Sequence, residues 1–303
     1  MIQSPLNYTG GKYKLLPQLL PLFPDKINTF VDLFCGGCNV GINVKANHHI
    51  YNDTNTYLLS LYNALKSNDK DVTLKTIYAI IEKYDLSLVS KNGYDFYGCN
   101  SSKGLSSYNK EKYLKMRDDY NLHKNENYLH CILLYVLIIY SFNNQIRFNR
   151  NGEFNLPVGK RDFNKKMEEK LLSFIDIIKT QDSLFTSIDF AKFDIDTLSS
   201  EDFVYIDPPY LITCATYNEQ DGWNENDEVR LLEFIQSLTA RNIRCALSNV
   251  LRSKGKENAI LIDWLEAHKK TYTVHQLKFN YANSNYQTKD KSSSSEEVLI
   301  TNY

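Results

Sequence analysis

The chain has 303 residues, enough for one large domain or two modest ones with real cores and too many for a peptide hormone or a disulfide miniprotein. A composition of 43% hydrophobic and 23% charged residues with 12 Gly and 7 Pro excludes disordered and collagenous classes. With 35 Lys+Arg against 36 Asp+Glu the net charge is -1, so any nucleic-acid surface must be a local patch.

The opening run MIQSPLNYTGGKYK carries no apolar stretch before a cleavage site, which predicts a cytoplasmic protein. The longest apolar stretch, Tyr128 to Phe142, is shorter than the roughly 20 residues of a membrane span, so it reads as a buried helix and no membrane partner is expected. Cys35, Cys38, Cys99, Cys131, Cys214 and Cys245 are scattered and read as thiols. Cys35-Gly36-Gly37-Cys38 has the C-x-x-C spacing of redox and zinc sites, but no second pair accompanies it. It therefore reads as small residues flanking a glycine turn, with no metal expected.

In chain order, Thr29 to Phe34 is a strand that meets Gly36-Gly37, and Asn39 to Lys45 is helix-compatible. A second strand, His48 to Tyr51, ends in Asn52-Asp53, and Leu58, Leu61, Tyr62 and Leu65 then recur at helical spacing. Residues 66 to 124 are mostly helical and lysine-rich, with a loop predicted over Lys91 to Ser107. After the Tyr128 to Phe142 helix, Asn151-Gly152 predicts a hairpin within Arg147 to Arg161; the surrounding segment 143 to 166 carries a local charge of +4. Leu184 to Phe190, Phe203 to Ile206, Ile243 to Ser248, Tyr272 to Phe279 and Val298 to Thr301 read as strands, and Glu225 to Arg241 and Glu257 to His268 as helices. Strands alternating with helices predict an α/β fold with a mainly parallel sheet. The last two strands, joined by the polar Asn280 to Glu297 segment with its Ser292 to Ser295 run, predict a final antiparallel pairing. No internal repeat is visible.

Open α/β sheets bind ligands at the carboxyl ends of their strands, which places Asp32 to Gly41 at a binding edge. The glycines, Gly36-Gly37 and then Gly41, do not follow G-x-G-x-x-G. A nucleoside lying across the turn is therefore favoured over a pyrophosphate, and a dehydrogenase is disfavoured. Asp53, 21 residues past Asp32, is placed either to bind ribose hydroxyls or to cap a helix. The sharpest feature is Asp207-Pro208-Pro209-Tyr210 directly after the apolar strand Phe203 to Ile206. The carboxylate and the Pro208 carbonyl are two acceptors suited to an amine with two hydrogens, and Tyr210 offers a flat face to an aromatic ring. That pattern describes recognition of the exocyclic amine of a base.

On these residues the chain resembles the Dam-type DNA adenine methyltransferases, D12-class enzymes of the alpha group, and most of all their phage-encoded members. The landmarks are Asn7-Tyr8-Thr9-Gly10-Gly11-Lys12, Phe30 to Gly37, Asn52-Asp53, the arginine hairpin and Asp207 to Tyr210. The resemblance implies a doubly wound methyltransferase fold. Residues 1–56 plus 181–303 would form the catalytic domain, and residues 57–180 an inserted helical and hairpin target-recognition domain. It implies S-adenosylmethionine as cofactor, held by Tyr8, Lys12, Asp32, Phe34, Gly36, Gly37, Asp53, Phe190 and Asp207, with Asp207, Pro208, Pro209 and Tyr210 catalytic. It implies double-stranded DNA as partner, contacted by Phe142, Gln145, Arg147, Asn149, Pro157 and Arg161. Arg147 and Asn149 fall at base-reading positions, Pro157 at a thymine-methyl contact and Arg161 at the outer guanine, in keeping with bidentate arginine–guanine pairing. GATC is the expected site, and a flipped adenine the substrate, because its amine is out of reach inside the duplex. A monomer, with a cognate restriction endonuclease as a further partner, completes the expectation.

Three positions depart from the relatives. Asn7 stands in place of a lysine directed to the outer guanine, Gln145 in place of an apolar or aromatic wedge, and Asp189 in place of a histidine. Competing readings are a methyltransferase acting on RNA or on a protein amide, and a DNA-binding relative without turnover. The arginine hairpin and the acid before Pro-Pro favour DNA.

Overall fold

The computed structural model describes residues 1–123, 127–212, 222–278 and 295–303. Cys214, the end of the strand expected at Phe279 and most of the polar segment before the last strand lie outside the described residues. Among the described residues the helices are α1 (Leu16–Leu19), α2 (Thr56–Ser67), α3 (Lys70–Lys83), α4 (Val89–Asn92), α5 (Ser106–Leu122), α6 (Tyr128–Tyr140), α7 (Lys165–Thr180), α8 (Glu225–Ala240) and α9 (Ala259–Ala267), with α2 to α7 following one another between the second and third of the eight described strands. These are β1 (Thr29–Asp32), β2 (His48–Asn52), β3 (Ser183–Thr186), β4 (Phe203–Ile206), β5 (Arg244–Ser253), β6 (Lys256–Glu257), β7 (Thr273–Leu277) and β8 (Glu296–Thr301). The chain divides into two compact units: a helical unit of Met1–Gly11, Gly36–Ile42 and Asn55–Phe185, and a sheet unit of Lys12–Cys35, Asn43–Thr54 and Thr186–Tyr303.

In the sheet unit β1 pairs in parallel with β2 and β4, β4 pairs in parallel with β5, and β8 runs antiparallel to both β5 and β7. The order β2-β1-β4-β5-β8-β7 has its antiparallel strand where the sequence predicts one, and the α/β methyltransferase fold expected from the resemblance is the fold observed. All four residues of β4 are buried, which explains its unbroken apolar run: a parallel strand covered on both faces has no polar side. Leu231, Leu232, Ile235 and Leu238 of α8 and Leu261 of α9 pack with Val31, Val204, Ile206, Leu247, Val298 and Ile300 of the sheet. Each such fully buried side chain contributes about 1.5–3 kcal/mol of transfer free energy. Asn224 starts α8 with a reciprocal capping box to Asp227.

The helical unit is built around α6, most of whose residues are buried because α2, α3 and α5 all pack on it. Helix α5 is polar on most of its circumference and buries one stripe, Asn109, Tyr113, Met116 and Tyr120. The hairpin expected around Asn151-Gly152 is present in minimal form, with antiparallel bridges Phe148↔Phe154 and Ser141↔Val158. Gly159 is required where the chain passes α6, since a Cβ there would lie 2.2 Å from the Ser141 carbonyl oxygen.

Several expectations change. The segment Asn39 to Lys45 forms only a 3-10 turn, Gly41–Asn43, because positive φ at Gly36 (44°) and Cys38 (58°) keeps the chain turning and leaves no room for a helix before β2. The strand expected over Leu184 to Phe190 stops at Thr186, and Phe190 lies in a second 3-10 turn capped by Asp189. The loop expected over Lys91 to Ser107 contains the end of α4 and a 3-10 turn, Asp95–Tyr97. Helix α7 is absent from the elements read in the sequence, although Leu171, Phe174, Ile175 and Ile178 recur at helical spacing behind the N-cap Asn164. No disulfide forms among the described Cys35, Cys38, Cys99, Cys131 and Cys245. No described cluster of His, Cys, Asp and Glu could hold a metal, and no described helix is long and apolar enough to cross a membrane.

Candidate active site

The carboxyl edge of the sheet unit is fixed by a residue that sequence reasoning passed over as a functional element. Asn52, 1% exposed at the end of β2, donates to the carbonyls of Leu33 (3.1 Å) and Ile188 (2.9 Å), and its Oδ1 accepts from Thr186 Oγ1 (2.9 Å) and the Ile188 N–H (3.0 Å). All four hydrogen-bonding positions of one amide are used. Asn52 thereby ties the end of β1 to the segment leading to Phe190. Phe34 and Phe190 meet with ring centroids 5.5 Å apart. Asp32 is buried at the end of β1, and Asp53 is half-buried with its N–H on the Thr186 carbonyl at 3.1 Å. The helix cap that Asp53 could have supplied is made by Asn55, whose side chain accepts from the Leu58 N–H at 3.3 Å.

Asp207 stands just beyond β4, at the same edge. Its Oδ1 receives the Lys12 ammonium at 2.9 Å and the Tyr210 hydroxyl at 2.9 Å. Lys12, read as a cofactor ligand from the resemblance, is 5% exposed, lies 4.9 Å from the centre of the Tyr210 ring and has Glu297 Oε1 at 3.9 Å. Burial, followed by the charges of Asp207 and Glu297, pushes the Tyr210 phenol well above its ordinary range, so it remains a donor throughout the working pH range. Asp207 Oδ2 and the Pro208 carbonyl take no hydrogen bond from any described residue. Pro208 is buried and Pro209 exposed. Tyr205, beneath the motif in β4, shares a 2.7 Å hydrogen bond with Ser248 of β5 and anchors the strand from which Asp207 emerges.

Within the helical unit, Tyr8, Gly36 and Gly37 form one close-packed cluster. A Cβ on Gly36 would come within 2.7 Å of the Tyr8 ring, and one on Gly37 within 2.9 Å of the Tyr8 Cβ. The glycines therefore let the tyrosine approach backbone, and the Tyr62 hydroxyl of α2 holds the Gly36 carbonyl at 2.7 Å.

The hairpin residues fall into two groups. Arg147 donates through Nε to Asn155 Oδ1 (2.7 Å) and through a terminal nitrogen to the Asn155 carbonyl (3.2 Å). Asn149 organises the turn, accepting from the N–H groups of Asn151 and Glu153 and donating to the Glu153 carboxylate at 2.8 Å. Phe142, Pro157 and Arg161 are exposed and Gln145 is half-buried. Phe142 sits beside Asn143 and Asn144, both at positive φ, in a turn that Asn7 braces by donating to the Asn143 carbonyl at 2.8 Å. In the sheet unit Asp189 is engaged by Arg230 at 2.8 Å. Both departures at Asn7 and Asp189 thus have local partners.

Residues 8–283 match the family described as D12 class N6 adenine-specific DNA methyltransferase, and the chain belongs to that family. Over 308 residues it is 44% identical to "Modification methylase StsI" of Streptococcus sanguinis and 41% identical to "Type II methyltransferase M.FokI" of Planomicrobium okeanokoites. In both comparisons it is matched over its whole length and spans 43% of the relative. It is 26% identical over 271 residues to the "DNA adenine methylase" of Salmonella typhimurium, covering 87% of this chain and 84% of that one. The Dam-type resemblance thus leads to the D12 class, within which these modification methylases are more similar to this chain than the adenine methylase is.

The donor chemistry of the sheet unit fits a sulfonium nucleoside. Two carboxylates, Asp32 and Asp53, suit an ammonium and ribose hydroxyls, and the Phe34 and Phe190 rings suit a purine.

Proposed function

We propose that this chain is a site-specific DNA adenine methyltransferase that moves the methyl group of S-adenosylmethionine to the exocyclic amine of a flipped-out adenine. The observation that carries the reading is the division of labour at Asp207. Lys12 and Tyr210 hold Oδ1, which leaves Oδ2 and the Pro208 carbonyl to accept the two amine hydrogens. Two acceptors on those hydrogens turn the nitrogen lone pair out of the ring, and the Tyr210 ring offers the base a face to stack on. S-adenosylmethionine supplies an electrophilic methyl group when bound, with Asp32, Phe34, Asp53 and Phe190 of the sheet unit as its holders. Positioning and fixed dipoles then account for most of the rate.

In this reading the sheet unit is catalytic and residues 57–180 recognise the target, with Arg147, Asn149, Pro157 and Arg161 reading bases and Phe142 and Gln145 at the site of flipping. GATC is the sequence read from the Dam-type resemblance. A modification-methylase specificity, with a cognate endonuclease as partner, is the second reading, favoured by the 44% and 41% identities.

The test is transfer of labelled methyl from S-adenosylmethionine to a duplex library containing GATC, followed by mapping of methylated adenines. Label on adenine supports the reaction, and its sequence context chooses between the two specificities. Label on RNA or protein alone, or on nothing while DNA still binds, refutes the reading. Asp207→Ala is expected to keep DNA binding and lose transfer.

A further inference from the structure

Glu228 is a carboxylate with 0% exposure in the first turn of α8. Its Oε2 accepts the Trp223 indole N–H at 2.6 Å, while Oε1 accepts from Asn258 Nδ2 at 2.7 Å and Asn249 Nδ2 at 3.1 Å. Among the described residues it has no cationic partner; three neutral donors and the start of a helix hold it. A buried carboxylate without a counter-ion is costly, and a hydrophobic residue would fill this core position more cheaply. What the carboxylate achieves is to fix one side chain, the indole of Trp223, at the N-terminal approach to α8.

The indole is fixed against the two aromatic residues already placed at the cofactor edge. Its ring lies 5.8 Å from Phe34 in an edge contact and 5.6 Å from Phe190. Phe190 is held from another side by the Arg230 guanidinium, 5.0 Å from its ring centre, and Arg230 is itself tied to Asp189 and Asp227. Trp223 and Phe34 are both half-buried, so the cluster keeps open aromatic surface at the carboxyl edge of the sheet.

We infer that Trp223 is a third aromatic wall of the cofactor's adenine pocket and that Glu228 is the positioning residue that locks it there. The inference rests on the methyltransferase reading above and extends it to two residues outside the motifs. Its physical content is that a purine gains contact with a ring whose orientation is set beforehand, so little ordering is left to the binding step.

The chain contains two tryptophans, so Trp264→Phe leaves Trp223 as the sole indole reporter. S-adenosylhomocysteine and adenosine are titrated into this variant, with emission and calorimetry read on the same sample. A saturable change in Trp223 emission at the calorimetric affinity is expected for both. Trp223→Ala is expected to weaken S-adenosylhomocysteine binding by about tenfold, and Trp223→Phe, which keeps a ring, by no more than about threefold. Glu228→Gln, which places an amide donor among three donors, is expected to shift Trp223 emission to the red and weaken the same binding, with duplex DNA affinity unchanged. Heat of binding with no change in Trp223 emission, together with parental affinity in Trp223→Ala, overturns the inference and leaves the methyltransferase reading standing. No binding of S-adenosylhomocysteine by the parent chain overturns both.

Discussion

Lys12→Met removes the ammonium that Asp207 and Glu297 share and keeps most of the side chain's length. At 2.9 Å and an effective dielectric of about 20, the attraction between Lys12 and Asp207 is about 6 kcal/mol before desolvation is subtracted. Removing one partner of a buried pair typically costs about 3–5 kcal/mol, because the other charge stays buried and uncompensated. Asp207 is 17% exposed and keeps the Tyr210 hydroxyl, so the expected loss lies at the low end, about 3 kcal/mol. In urea, with a slope of about 2–3 kcal/mol per molar, the unfolding midpoint should fall by about 1–1.5 M. Glu297, 1% exposed and 3.9 Å from the same ammonium, gives an internal control. Adding Glu297→Gln to Lys12→Met neutralises one of the stranded carboxylates, so the double variant should be less destabilised than the sum of the singles by about 1 kcal/mol or more. Methyl transfer by Lys12→Met should fall about tenfold to a hundredfold, since Asp207 Oδ1 loses the contact that orients Oδ2. A Lys12→Met protein with the parental midpoint, additive with Glu297→Gln and within twofold of the parental rate, would refute this account of the edge.

The other predictions concern single groups. Tyr210→Phe keeps the ring and loses the hydroxyl on Asp207, so transfer should drop about tenfold, and Tyr210→Ala should drop further in the same labelled-methyl assay. Because the phenol of Tyr210 is held far above its ordinary range, the parent should show no loss of rate on the alkaline side that disappears in Tyr210→Phe. Asn52→Ala strands donors and acceptors on Leu33, Thr186 and Ile188 and should destabilise the protein by about 3 kcal/mol, read from urea midpoints. Burial raises the Asp162 carboxyl above its ordinary 3.8, so the folded protein holds that proton more tightly than the unfolded chain does. Its contribution is therefore complete below 3.8 and is lost as pH rises through the folded value. Asp162→Asn should flatten the melting temperature across that range, and an unchanged slope would show that another group governs it.

Much of the sheet unit was legible from local pattern. β4 is a continuous apolar run because both of its faces are covered, and its last residue had to deliver Asp207 to the sheet's edge. The helical stripe on α8 and the Asn-Gly hairpin were readable for the same reason: their periodicity or turn chemistry lies within a few adjacent residues. Helix α7 carried an equally regular stripe and was available to the same reasoning. The helix expected at Asn39 to Lys45 failed because backbone sign at Gly36 and Cys38, which residue type alone does not fix, took the chain elsewhere.

The residue types that suit a nucleoside and an amine were thus set by the sequence: a carboxylate before two prolines, an acid at the end of the first strand and another just past the end of the second, and aromatics after them. Which atoms meet was decided by tertiary structure alone. Lys12 reaches Asp207 across 195 positions of chain, Asn52 joins Leu33 to Ile188, and Glu228 gathers Trp223, Asn249 and Asn258. Polar side chains of this kind have no period to betray their partners, and their geometry exists only once the strands have paired and the core has closed around them.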